Sequence, residues 1–134
     1  MNTFERHVIL GILLFMSCSR PAAVETFVRA DEAVGDVYSF DLALDDSLCV
    51  YDLSFYTAPV EEPLRLDVSW DTVSAIAETV WFPSGESRAL YRSGVRPSGE
   101  ECKRPVRLSV RVPGAPADFR GLGLICKRIK YGTR

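Results

Sequence analysis

Apolar and polar side chains alternate over several short stretches of this 134-residue chain. The clearest stretch is LRLDVSW, residues 64–70. Successive side chains of a β-strand point to opposite faces of the sheet, so this alternation predicts a strand with one buried face. The same pattern recurs over residues 37–44, 49–56 and 106–112. The chain is therefore expected to fold mainly as β-strands.

Further strands are expected within residues 72–82, 89–92 and 122–126, where β-branched and aromatic residues are frequent. Stretches rich in proline, glycine and aspartate separate the strands at regular spacing, which is typical of an antiparallel β-sandwich. We predict an all-β sandwich of seven to eight strands over residues 37–134, immunoglobulin-like or jelly-roll-like. Residues 18–36 are expected to be a tether.

The amino-terminal segment contains nine consecutive apolar residues, Val8–Met16, with Gly11 among them. A helix that spans a membrane needs about 20 apolar residues, so this stretch has the length of the apolar part of a signal peptide. Its last part, Leu14-Phe15-Met16-Ser17-Cys18, resembles the lipobox of bacterial lipoproteins. The resemblance implies that residues 1–17 are a signal peptide and that Cys18 is the lipidated first residue of the mature chain.

Two other interpretations of this segment remain open, namely an ordinary secretory signal that is cut nearby and a buried amino-terminal strand. If Cys18 is lipidated, the protein is attached to a membrane through that residue. Residues 19–21, Ser-Arg-Pro, contain no acidic residue next to the cysteine. We therefore expect an outer-membrane lipoprotein that faces the periplasm.

Catalytic chemistry is restricted because His7 is the only histidine and lies in the leader. Without a histidine, serine–histidine and cysteine–histidine nucleophile pairs are excluded, and an enzyme would need a serine–lysine or a carboxylate mechanism. Cys49, Cys102 and Cys126 match no zinc-binding spacing, and their odd number leaves at least one unpaired within a monomer. We predict a non-enzymatic protein with no metal and no cofactor.

Charge is distributed unevenly along the chain, although the net charge is only −2. Residues 19–86 contain 14 acidic and 3 basic side chains, whereas residues 87–134 contain 3 acidic and 12 basic ones. Acidic strands could pair with basic strands across a sheet, and we favour this interpretation over a basic face for an anionic partner. The small net charge argues against a nucleic-acid partner.

Aromatic residues offer a candidate ligand site, because Trp81, Tyr56 and Tyr91 could stack on a sugar. Most aromatic side chains pack in a core, however, as expected for Trp70 on its apolar face. A glycan-binding module would place two or more exposed aromatic rings on one concave face. A site for a partner protein would instead present an apolar patch with a polar rim.

The order of these features resembles the gliding-motility lipoprotein H family of Bacteroidetes. The shared elements are the lipobox, the strands at 38–44 and 51–56, the segment Phe82-Pro83-Ser84-Gly85 and the closing segment 119–124. The asparagine and arginine residues expected in the middle strands of that family are missing. The resemblance implies an accessory role in an envelope machine for motility or secretion, without catalytic residues. The predicted function is thus contact with an envelope protein partner, and the alternative is binding of a glycan.

Overall fold

The computed structural model describes residues 22–72 and 75–130. Within these residues the chain forms eight strands and no helix. The strands are β1 (Ala23–Arg29), β2 (Val37–Leu42), β3 (Cys49–Tyr56), β4 (Leu64–Asp71), β5 (Ile76–Phe82), β6 (Arg88–Val95), β7 (Val106–Arg111) and β8 (Gly121–Lys130).

The eight strands form two antiparallel four-stranded sheets. Sheet A has the order β1-β8-β3-β6, and sheet B has the order β2-β7-β4-β5. The first strand pairs with the eighth, the second with the seventh, the third with the sixth and the fourth with the fifth. The chain is therefore one long hairpin that bends at the β4–β5 connection and is then rolled into two layers. The prediction of an antiparallel β-sandwich is confirmed, and this strand order is that of a jelly roll.

The core lies between the two sheets and consists of the apolar side chains that alternation predicted to be buried. In sheet B these residues are nearly inaccessible over β4 and β7, including Leu66, Val68, Leu108 and Val110. Sheet A contributes Leu53 and other residues of the inward faces of β3 and β8. Trp70 also lies in this core, as expected.

The predicted tether is wrong over residues 23–29, which form β1 and pair with β8 along their whole length. The sequence pattern concealed this strand because β1 lies at the edge of sheet A and most of its side chains are exposed. Residues 1–21, which include the predicted signal peptide and Cys18, lie outside the described residues.

The last strand is longer than its apolar pattern suggested. It was expected over residues 122–126 but extends to Lys130, because its basic end continues to pair with β3 as far as Cys49. Main-chain hydrogen bonds between β8 and β3 do not require apolar side chains. The apolar sequence pattern therefore ended before the strand itself.

The sandwich has two ends, which are occupied by different loops. Residues 30–36, 57–63, 83–87 and 112–120 connect strands at what we call the far end. β1 begins at the opposite end, the near end, together with the last residues of β8. At about 3.3 Å per residue, the seven residues of β1 separate the two ends by about 20 Å.

Gly121, at the start of β8, lies where two backbone segments approach closely. Its φ angle is 151°, and a Cβ atom built there would lie 2.4 Å from the carbonyl oxygen of Val28 and 2.9 Å from the Cα atom of Arg29. The carbonyl group of Gly121 also accepts a hydrogen bond from Oγ1 of Thr57 at 2.7 Å. This position therefore requires glycine.

Replacement of Gly121 by alanine should lower the free energy of unfolding by about 2 to 3 kcal/mol, because the backbone of β1 cannot yield to the new methyl group. Thermal and urea unfolding of the purified protein would measure the change. Gly114→Ala is the matched control, since a Cβ atom there meets nothing within 4 Å. Equal stabilities of the two variants would contradict this account of Gly121.

Candidate functional site

A groove opens at the far end between the β3–β4 loop and the β7–β8 loop. Its volume is about 500 Å³, within the range of ligand sites in proteins. The apolar part of its lining includes three proline rings and the partly buried ring of Phe119, with Val60 and Leu64 buried beneath. The charged lining residues are Glu61, Glu62, Asp118 and Arg120, all of them exposed.

Hydrogen bonds hold the walls of the groove in place. The amide of Gly85 donates to the carbonyl of Val60 at 2.8 Å, and the amide of Phe119 donates to the carbonyl of Pro116 at 3.0 Å. The ring of Phe119 also meets that of Tyr38 edge-on, with 5.8 Å between centroids. The groove is thus formed by fixed loops and is available without rearrangement.

A second cluster of polar groups lies at the β5–β6 edge, where it joins the two sheets. β6 contains a β-bulge at which Tyr91 and Arg92 together oppose Leu53. Both side chains consequently reach Glu78 of β5: the hydroxyl of Tyr91 donates to its Oε1, and Nη2 of Arg92 donates to the same oxygen at 2.8 Å. The indole nitrogen of Trp70 donates to the Tyr91 hydroxyl at 2.7 Å.

The electrostatics of this cluster favour an ionised Glu78. Partial burial opposes ionisation, but the hydrogen bonds from Tyr91 and Arg92 and the charge of Arg92 outweigh it and lower the pKa of Glu78. The guanidinium carbon of Arg92 also lies 5.7 Å from the centroid of the Trp70 ring, a cation–π distance. The arrangement is satisfied internally, and we interpret it as a clamp between the sheets.

The structure does not bring together the three aromatic residues predicted to bind a ligand. Tyr91 is engaged in the clamp. Trp81 is 62% exposed on the outer face of sheet B, opposite Arg65, and is the only aromatic residue of the strands on that face. Tyr56 lies on the outer face of sheet A, where its ring covers Gly123 and contacts Phe27 at 5.8 Å between centroids. Three aromatic rings on three surfaces do not form a platform for a sugar.

The outer face of sheet A carries apolar side chains at its far-end half. Besides Tyr56 and Phe27, it contains Leu90, which is 65% exposed, and Ile125, which is buried. Charged residues lie at the margins, namely Arg29, Arg88, Glu25 and Lys127. An apolar patch with a polar rim is what contact with a protein was expected to require.

Some of the unevenly distributed charges pair with each other across the fold. Arg107 meets Asp41 at 3.2 Å and Arg111 meets Asp36 at 3.0 Å, while Arg92 is paired with Glu78. Each pair joins an acidic residue of the first part of the chain to a basic residue of the second. The expectation of cross-strand pairing is confirmed for Asp41 and Arg107, which face each other on the neighbouring strands β2 and β7.

Cys49, Cys102 and Cys126 all carry free thiols. Burial raises the pKa of the Cys126 thiol to about 11, so it remains protonated at neutral pH. The thiol of Cys49 is buried and donates to a carboxylate oxygen of Asp46 at 3.3 Å. Neither thiol has the lowered pKa of a reactive cysteine.

Within residues 22–72 and 75–130, no group of three or more histidine, cysteine, aspartate or glutamate side chains is placed to hold a metal ion. The same residues contain no helix that is long and apolar enough to cross a membrane.

In comparisons with models of protein families, with curated proteins and with solved structures, the chain matches none of them. The resemblance to the gliding-motility lipoprotein family therefore stays a prediction that rests on the residues quoted above.

Sequence reasoning did not find the groove. The stretches rich in proline, glycine and aspartate were expected to separate strands, but their sequence does not show which of them lie side by side. The available signal was the presence of two proline residues in each of the loops at 57–63 and 112–120, which indicated that both are stiff.

The clamp generates a prediction about stability. The pKa of Glu78 is lower in the folded chain than its ordinary value of 4.5, so its ion pair contributes fully above that value and is lost as pH falls through the folded pKa. Glu78→Gln should lower the free energy of unfolding by about 1 kcal/mol at pH 7 and make the remaining stability less sensitive to acid. Urea unfolding between pH 3 and pH 7 would measure both effects.

The matched control is Glu86→Gln, an exposed residue of the β5–β6 loop. A Glu78 variant that keeps the acid dependence of the unaltered protein would show that the clamp does not stabilise the fold through its charge.

Proposed function

We propose that this protein is a non-enzymatic lipoprotein of a bacterial envelope, anchored through Cys18, which acts by contact with a protein partner. Its expected place is the outer membrane, facing the periplasm. The resemblance described above suggests an accessory role in a motility or secretion machine. The proposal is supported by the position of the groove relative to the start of β1.

The supporting geometry begins with the short distance from Cys18 to the sandwich. β1 begins at Ala23, so five residue steps, at most about 18 Å of extended chain, separate it from the proposed anchor. β1 then runs away from that point to the far end, where the groove opens. An anchored domain would therefore keep its near end beside the membrane and present its groove to the periplasm.

Contact with a protein is better supported than binding of a glycan. The exposed Trp81 has no aromatic neighbour among the strand residues of its face, and Tyr56 serves to cover Gly123. Aromatic side chains of neighbouring strands often cover a strand glycine in this way, which is a structural role. The apolar patch of sheet A and the groove are both surfaces of the kind that proteins use for contact.

Lipidation of Cys18 can be tested by metabolic labelling of growing cells with an alkyne analogue of palmitate. The unaltered protein should take up the label, and Cys18→Ser should take up none, because the acyl chains are attached to that residue. Cys102→Ser is the matched control and should be labelled as the unaltered protein is. Label on the Cys18 variant, or none on the unaltered protein, would contradict the anchor.

The orientation can be tested by photocrosslinking in the native envelope. A photoreactive amino acid in place of Phe119 at the far end should form crosslinks to another protein. The same group in place of Leu48, which is 67% exposed in the near-end loop between β2 and β3, should form few or none. A reversed pattern would show that the near end is the contact surface, and crosslinks to neither position would contradict the far end as the place where a partner binds.

A further inference from the structure

The four far-end loops are strongly acidic. Together they contain seven carboxylates and one basic residue, Arg120. The carboxylates are those of Asp31, Glu32, Asp36, Glu61, Glu62, Glu86 and Asp118. Two loops at the near end, residues 43–48 and 96–105, together contain four acidic and three basic residues and are close to neutral. Among these loops, the excess of negative charge is therefore confined to those of the far end.

Salt bridges engage only one group of these carboxylates. Asp31 and Glu32 both lie near Arg29, at 3.3 and 3.2 Å, and Asp36 is paired with Arg111. These three belong to the β1–β2 loop, away from the groove lining. Among the residues that the structure describes, Glu61, Glu62 and Asp118 take part in no salt bridge, and all three line the groove.

The walls between these carboxylates are apolar and stiff. Pro59, Pro63 and Pro116 have fixed φ angles and no amide hydrogen, so they contribute apolar surface without a backbone donor. Phe119 is held against Tyr38 and is partly exposed to the groove. A preformed wall of this kind lowers the ordering cost of binding.

We propose that the groove binds a cationic segment of the partner protein, with lysine or arginine side chains at Glu61, Glu62 and Asp118 and apolar side chains against the prolines and Phe119. This inference rests on the proposed function, because it names the kind of partner that the far end would contact. Electrostatic complementarity selects a basic partner segment and speeds its association. The apolar wall restricts binding to segments that also carry an apolar side chain.

The test uses a fluorescein-labelled hexapeptide of alternating lysine and leucine, with a peptide of alternating glutamate and leucine as its counterpart. Fluorescence anisotropy should show saturable binding of the lysine peptide and at least tenfold weaker binding of the glutamate peptide. Binding should weaken when the salt concentration is raised from 0.05 to 0.5 M. Equal binding of both peptides, or binding of neither, would overturn the inference.

Two triple variants with the same change of charge distinguish binding in the groove from general electrostatic attraction to the far end. Glu61→Gln, Glu62→Gln and Asp118→Asn together alter the groove, whereas Asp31→Asn, Glu32→Gln and Glu86→Gln together alter the same end outside it. The first variant should bind the lysine peptide at least tenfold more weakly, and the second should change binding by no more than about twofold. Equal losses would overturn the groove as the site, and circular dichroism would establish that both variants are folded.

The photocrosslink at position 119 distinguishes failure of this inference from failure of the proposed function. Mass spectrometry of the crosslinked peptide should identify a partner segment with a net positive charge that includes lysine or arginine. A crosslink to a neutral or acidic segment of another protein would overturn the cationic partner while leaving the proposed function intact.

Discussion

Two of the three strand pairings in sheet A are made by β8, because this last strand lies between β1 and β3 and pairs with both. β1 has no other strand neighbour in the sheet, so it is held in register only after residues near 125 have reached residues near 25. Such long-range pairing costs loop entropy before it returns stability. Two glycines of β8 make the close fit possible: Gly121 lets the backbones of β1 and β8 approach, and Gly123 leaves room for the ring of Tyr56.

The edges of the sheets present the opposite problem, since unpaired main-chain groups there can pair with another chain. At the β5–β6 edge the protein uses two devices that natural sheets employ against such pairing. Glu78 is a charged residue that points inward from the edge strand β5, and the bulge at Tyr91 and Arg92 disrupts the edge strand β6. The clamp thus joins the two layers and protects both edges through one hydrogen-bonded group.

Alternation predicted those strands that have one buried and one solvated face. Leu64, Leu66 and Val68 are buried as the pattern required, whereas β1 was missed because an edge strand with mostly exposed side chains carries little pattern. The role of Tyr91 could not be predicted, because it depends on a β-bulge that turns the side chain towards Glu78. The bulge is a shift in the pairing of β3 with β6, which amino-acid composition does not reveal. The groove was missed for a different reason, since its walls come from residues 57–64 and 114–120, which only the rolled hairpin brings together.

The separation of acidic and basic residues along the sequence has one consequence in the strands and another in the loops. Along the strands, acidic residues of the first part of the chain meet basic residues of the second, as Asp41 meets Arg107. The far-end loops come mostly from the acidic part of the chain, and they extend beyond the last strand pairs, where fewer basic residues are available. Glu61 and Glu62 lie in the β3–β4 loop. The loop on the other side of the groove contains one basic residue, Arg120, and one acidic residue, Asp118. The uneven distribution of charge along the sequence thus leaves carboxylates at the mouth of the groove that are unpaired among the residues the structure describes. These carboxylates are the reason to expect a cationic partner segment.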